Sequence, residues 1–437
     1  MKDLFQEFET SNAAEWKKRI IRDLKGEAFE SLLWQNDNGF TLNPFYTAED
    51  LQSDYFPAFH HSGWEVCAGS TANKAATVNK ELLDKLNRGA TSISVNVNNH
   101  EPASLLNQIQ LQYIKASFYC DLQQVNGLCA YLTSEHPAAL ANITLFPVNL
   151  STGKEKLEWF EKTSVLRKAG AITTATDGLA WARLGALPYY ELALVFSSLA
   201  EWLELCEKEK ISPGKSVAVR TEVTSDLFVQ LCKLRAMRRL WELFKKEFNI
   251  SSELYIIAET SLINKSVSDQ HNNLIRSSVE SMAAIAGGCN ELLVHEFDVL
   301  SGENTNAGKR LAINQQLILK EECYFDKMAD VACGSFYLES LTDKLAEKAL
   351  ESFKEIMAEG GFSKIWQNGT IKEEIKKQYS LQEKKVRNKE IIVVGVNKFQ
   401  DKLSQKQAPG SILNHFENKG IRNFALSFEV PDQLNKA

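Results

Sequence analysis

The sequence predicts an α/β fold: a (β/α)8 barrel of the TIM type, with an N-terminal helical and extended arm and a C-terminal helical extension. Three observations lead there. Short β-like runs alternate with amphipathic stretches from about residue 70 onward, the pattern of right-handed βαβ units in a parallel sheet. Seven or eight such units suit a closed barrel better than an open doubly wound sheet. No GxGxxG follows any run, so a dinucleotide-binding sheet lacks its fingerprint.

The elements follow in order. Leu4, Phe5 and Phe8, then Trp16, Ile20, Ile21 and Leu24, recur at spacings of three and four and predict helix within the first 35 residues. Residues 36–66 are aromatic, hold two of the nine prolines and show no period. They predict an extended arm that must cover apolar surface, and it is the element expected to reach across to a partner. The strand runs are TSISVNV (91–97), SFYCDL (117–122), ANITLF (141–146), AITTATD (171–177), VAVRTEV (217–223), LYIIAE (254–259) and LLVHEF (292–297). An eighth is expected near Met328–Cys333. The helical SLTDKLAEKALESFKEIMAEGG stops at Gly360-Gly361. The charged IKEEIKKQYSLQEKKVRNKE reads as a solvated helix with i,i+4 charge pairs. IIVVGVNKF (391–399) carries a strand signature. The expected divisions are an arm at 1–69, a barrel at 70–345 and a C-terminal extension at 346–437.

Composition excludes several classes. The 437 residues are 44% hydrophobic and 24% charged, an ordinary globular balance rather than that of a disordered chain, collagen or a coiled-coil rod. Fifty basic against 56 acidic residues give a net charge of −6, which implies no attraction to nucleic acid or anionic membrane. No run approaches the roughly 18 apolar residues of a membrane span, and the early acids of MKDLFQEFETSN do not read as a signal peptide. Eight widely spaced cysteines without a CxxC pair read as reduced thiols, and the expected location is cytoplasmic. The seven histidines show no HExxH or paired spacing, so no metal site is expected.

In a barrel, chemistry belongs to the loops after the strands. AITTATD runs into the turn Asp177-Gly178 and then Leu179, Ala180 and Trp181. None of these three side chains can move a proton at neutral pH. The cluster Lys233, Arg235, Arg238 and Arg239 reads as the polar face of a helix bearing Leu231, Leu234 and Leu240, with a phosphate grip for CoA or an interface as the alternatives.

Several segments resemble the substrate barrel of the adenosylcobalamin-dependent acyl-CoA mutases, the methylmalonyl-CoA mutase family. CKLRAMRRLWELF (232–244) is similar to the family's AKLRAARRLW. AINQQLILKEECYFDKMADVACGSFYLESLT (312–342) is similar to ARNTQLILQEES…VxDPAGGSYYVESLT. VRNKEIIVVGVNKF (386–399) resembles the family's IVGVNKY ending, and NPFYTAEDL (43–51) its PLYTxED arm. The matches keep the family's order from about residue 15 to 400. The departures bear on function. The family's GYHMQEAGATADLELA lies over GLAWARLGALPYYELA, so its histidine, which contacts the thioester carbonyl, falls on Ala180 and its tyrosine on Leu179. The RQYAGF tyrosine has no counterpart in GWEVCAGST. The family's NTQ reads Asn314-Gln315-Gln316, its preceding arginine is Ile313, and the TxQND segment is missing between Phe160 and Asp177. A donor to a carbonyl is worth roughly 2–4 kcal/mol in comparable polar sites, and alanine offers none.

The family's DxHxxG cobalamin signature finds only Asp269–His271, whose third following residue is Leu274. A helix cap is the better reading of that aspartate. The resemblance therefore implies a chain with no catalytic residues, no cofactor or metal of its own and no flavodoxin-like cobalamin domain. It implies the small subunit of a heterodimer whose large subunit binds adenosylcobalamin and interconverts methylmalonyl-CoA and succinyl-CoA. Acyl-CoA stands as a possible ligand of the barrel. Two alternatives are a free-standing acyl-CoA-binding or regulatory homodimer, and an active substrate half served by a separate cobalamin-binding chain.

Overall fold

The computed structural model describes residues 11–51, 58–60, 63–98, 100–148, 150, 152–301, 305–400 and 423. Eight parallel strands make one sheet: β1 Glu65–Gly69, β2 Ser92–Asn96, β3 Lys115–Cys120, β4 Ile143–Pro147, β5 Ala175–Asp177, β6 Ser216–Val223, β7 Glu253–Thr260 and β8 Glu291–Leu293. β8 returns to β1 through Glu291↔Glu65, Leu292↔Val66 and Leu293↔Cys67. At the remaining seam β4 and β5 meet through the bridge Thr144↔Ile172, where Leu145 N–H donates to the Ile172 carbonyl at 2.8 Å. The expected (β/α)8 barrel is therefore present.

All seven expected runs fall on barrel strands. The eighth does not lie at Met328–Cys333, which is irregular. It is the first strand, Glu65–Gly69, inside the stretch that reads as arm. Five residues with small Cys67 and Ala68 at the centre carry no visible alternation, so aromatic neighbours hide them. IIVVGVNKF also departs from expectation. Gly395 takes φ +81° and the run turns back on itself. The buried Asn397 accepts from Val393 N–H and donates to the Val386 and Ile391 carbonyls, each at 2.8 Å. One side chain thus satisfies backbone groups that a sheet neighbour would otherwise serve.

The helices used below are α1 Ala13–Asp23, α2 Ala75–Asn87, α3 Val125–Glu135, α4 Gly153–Lys162, α5 Leu179–Arg183, α6 Pro188–Glu209, α7 Leu227–Glu247, α8 Asn272–Ala286, α9 Asn306–Leu317, α10 Phe336–Ala358, α11 Phe362–Gln367 and α12 Thr370–Arg387. α10 crosses residue 345 unbroken and packs on α6 and α7. The charged α12 is not wholly solvated: Ile371, Ile375, Tyr379 and Val386 are buried. Its Tyr379 ring lies against Gly185, where a Cβ would come within 2.6 Å and φ is +101°. Only glycine accommodates both constraints.

Much of the arm covers its own barrel. Leu42 is buried in the main core, and Asn36 and Asn38 are buried. Tyr46 packs on Tyr337 of α10 with ring centroids 5.7 Å apart. Residues 52–57 and 61–62 lie outside the described residues. Residues 36–51 thus pack in part on their own barrel, with Asn43, Pro44, Glu49 and Asp50 exposed. α1 is different. It buries no residue, and Trp16 and Ile21 are 52% and 47% exposed.

Each strand offers alternate residues to two cores. Phe118, Leu145, Val219 and Ile256 join the core beneath the helices. Tyr119, Phe146, Ala175, Ala218 and Ile257 pack together along the axis.

Candidate functional site at the barrel mouth

The carboxyl ends of the strands surround a cavity of about 370 Å³, lined among others by Asp177, Arg183, Arg220, Glu259 and His295. Glu259, at the end of β7, is the hub and is almost fully buried. Arg220 Nε donates to it at 2.7 Å and Arg183 Nη2 at 2.9 Å. His295 Nε2 lies 3.3 Å away. Arg220 also reaches Asp177 at 3.3 Å and stacks 4.3 Å over the Tyr119 ring. Burial alone would raise the Glu259 carboxyl, but Arg220, His295 and Arg183 hold it well below the usual range. Beside this group Lys85 donates to Glu296 and to the Gly69 carbonyl, both at 2.6 Å. Opposite charges here are spent on one another.

Below the charges the axis is apolar. Tyr119 and Phe146 stack with centroids 5.0 Å apart, and Phe146 and Ile257 are fully buried. Burial holds the Tyr119 phenol well above its usual value. Tyr119 lines the mouth cavity, whereas Cys67, Ser92, Ser117 and Glu291, deeper on the strands, do not. That deeper layer is polar, unlike the branched apolar filling of most such barrels. The Ser92 and Ser117 hydroxyls and Glu291 Oε1 are buried without a partner among the described residues, and burial pushes Glu291 up to about 7. An ordered water is the ordinary occupant of such a layer.

The residues singled out in sequence fall elsewhere. Leu179 is 1% exposed in the protein interior, and Ala180 is exposed. Neither lines the mouth cavity; Arg183 of the same short helix does. Arg183 and His295 escaped the sequence reading, although His295 lies within the run LLVHEF and Arg183 ends the short helix after AITTATD.

The basic cluster is corrected: its members are buried or part-buried rather than a solvated face, three of them in ion pairs and Arg238 on carbonyl oxygens. Lys233 pairs with Glu191 at 2.7 Å. Arg235 is 0% exposed, donates to both Asp330 oxygens and Glu339, and reaches the Thr342 hydroxyl at 2.9 Å. Arg239 pairs with Glu339 and Asp343. Arg238 donates to the Gly288 carbonyl at 2.5 Å. Helix α7 is thereby clamped to α10 and the segment before it. Gln316 accepts from Trp64 Nε1 at 3.1 Å, and Gln315 donates to Ser281 at 3.0 Å. These glutamines are packing contacts as well.

Cys67, Cys120, Cys129, Cys206, Cys232 and Cys289 are buried and unpaired, and burial raises their thiols. Among the described residues no group of three or more His, Cys, Asp or Glu could hold a metal ion, and no helix is long and apolar enough to cross a membrane. Asp269 and His271 do not fit a carboxylate-oriented cobalt ligand. Asp269 accepts from the Asn272 side chain at 2.7 Å instead of orienting His271 or capping a backbone N–H. The His271 ring stacks on Phe297.

Fold and site define a (β/α)8 barrel whose mouth is charged but internally neutralised. A family model described as methylmalonyl-CoA mutase matches residues 164–425, and the chain belongs to that family. The methylmalonyl-CoA mutase small subunit of Porphyromonas gingivalis is 28% identical over 91% of this chain and 71% of its own length. A probable small subunit of Mycobacterium tuberculosis (strain H37Rv) is 26% identical over 91% of the chain and 70% of its length. The methylmalonyl-CoA mutase of Rhizobium meliloti is 36% identical, but over 45% of the chain and 28% of the relative.

Proposed function

We propose that this chain is the non-catalytic small subunit of a heterodimeric, adenosylcobalamin-dependent methylmalonyl-CoA mutase. The large subunit carries the isomerisation and the cofactor, and this barrel serves as scaffold in the cytoplasm. The observation that carries the reading is the state of the mouth. Glu259 draws Arg183, Arg220 and His295 onto itself. A catalytic mouth keeps its donors aimed at the substrate; here they are aimed at each other. The aromatic layer of Tyr119 and Phe146 also argues against an acyl-CoA passing along the axis.

The small-subunit names of the two relatives that align over most of this chain support the partner. The exposed Trp16 and Ile21 of α1 mark the surface we assign to it. Mixed with the large mutase chain from its own source, the protein is expected to elute on size exclusion as a 1:1 complex. Separate elution of the two chains at micromolar concentration would overturn the proposal.

A further inference from the structure

A second cavity, of about 590 Å³, lies apart from the Glu259 cluster, between the loops after β6 and β7 and the segment 391–394. Its walls are largely apolar, with Val229, Ile263, Ile391 and Val393 among them. Glu222, the penultimate residue of β6, lines it and is 2% exposed. One Glu222 oxygen, Oε1, accepts from Leu262 N–H at 3.0 Å. The other has no hydrogen-bond partner among the described residues.

The surrounding charges are already committed. From α7, Lys233 donates to Glu191 at 2.7 Å and to the Glu222 backbone carbonyl, not to its carboxylate. From α6, Glu191 also accepts from the Thr221 hydroxyl. Arg183 of α5 is bound to Glu259 at 2.9 Å. Lys265 is held by Glu280 of α8 at 2.6 Å, and Arg276 donates to the Val394 carbonyl at 2.6 Å. Asp226 receives Val229 N–H at the start of α7, and Asp37 pairs with Lys385. Glu222 is left as a buried carboxyl on a cavity whose lining cations, Lys233 and Arg276, donate to other groups and not to its carboxylate.

We propose that this cavity binds a small organic ammonium, its N–H donors at the open oxygen of Glu222 and its apolar body against Val229, Ile263 and Val393. A buried carboxylate is costly unless paired, and an ammonium ligand supplies the missing charge. Burial pushes the Glu222 carboxyl up to about 7, so the ionised form that the ligand needs is scarce at pH 6 and dominant at pH 8.

The test is calorimetric titration of the full chain with n-hexylammonium, n-hexanol and hexanoate at pH 6 and pH 8. Hexylammonium alone is expected to bind, about tenfold more tightly at pH 8, as follows from one carboxyl with a pKa near 7. The Glu222→Gln variant, with its fold checked by circular dichroism, is expected to lose that pH dependence and most of the affinity. No binding of hexylammonium at pH 8, equal binding of hexanol, an affinity flat with pH, or unchanged pH-dependent binding by E222Q would each overturn the site. The ligand series and the pH profile on the unmodified chain decide the matter even if E222Q fails to fold.

Discussion

Arg235→Ala is expected to destabilise the protein by about 3–5 kcal/mol, the range for removing one partner of a buried ion pair. Asp330 would be left buried without its cation, and Glu339 would keep only Arg239. The loss is larger than for an ordinary core truncation because the same guanidinium joins α7 to α10 and to Asp330, which in turn accepts Ala58 N–H at 2.8 Å. Arg235→Lys is expected to recover only part of it, since an ammonium cannot span two carboxylates and the Thr342 hydroxyl as the planar fork does. Urea denaturation followed by circular dichroism measures both. A loss below about 1 kcal/mol for the alanine variant would show that the clamp is not a main support of the fold.

The second large effect concerns association. Trp16→Glu combined with Ile21→Glu is expected to weaken the complex with the large chain at least 30-fold, roughly 2 kcal/mol, as buried aromatic anchors at interfaces do. The isolated chain should keep most of its stability, because α1 buries none of its residues and Trp16 meets its own fold only edge-on at Phe45. Analytical ultracentrifugation of the mixture and thermal unfolding of the variant alone separate the two quantities. Unchanged association would remove α1 from the interface.

How far the sequence shows these features depends on which forces leave a periodic trace. Seven strands were legible because each is flanked by an amphipathic helix and ends in a turn. β1 was not, because its residues are small and its neighbours are aromatic. The run 391–399 looks like a strand since β-branched residues pack equally well in a turn whose backbone is satisfied by Asn397. The basic residues of α7 misled for a related reason. At helical spacing, a buried charge and a solvated one look alike, and the carboxylates that decide the matter lie about 100 residues on, at Asp330, Glu339 and Asp343. The mouth was half legible. Asp177 could be read from one loop, whereas the Arg183–Glu259–His295 cluster exists only once three strand ends are brought together.

The two substitutions most visible in sequence, at Leu179 and Ala180, do not line the mouth at all. The case for a non-catalytic chain therefore rests as much on the residues that replace a donor set as on those that are gone. Arg183 and His295 are polar and near the axis, yet both are drawn to Glu259. A working site would have to break those contacts each time substrate arrived, at a cost comparable to the buried ion pairs themselves.

The most direct test is turnover of methylmalonyl-CoA by the isolated chain, supplied with adenosylcobalamin and a separately expressed cobalamin-binding domain. No succinyl-CoA above the no-enzyme background is the predicted result, with activity appearing once the large chain is added. Succinyl-CoA formed without the large chain would contradict the account and make this barrel an active substrate half.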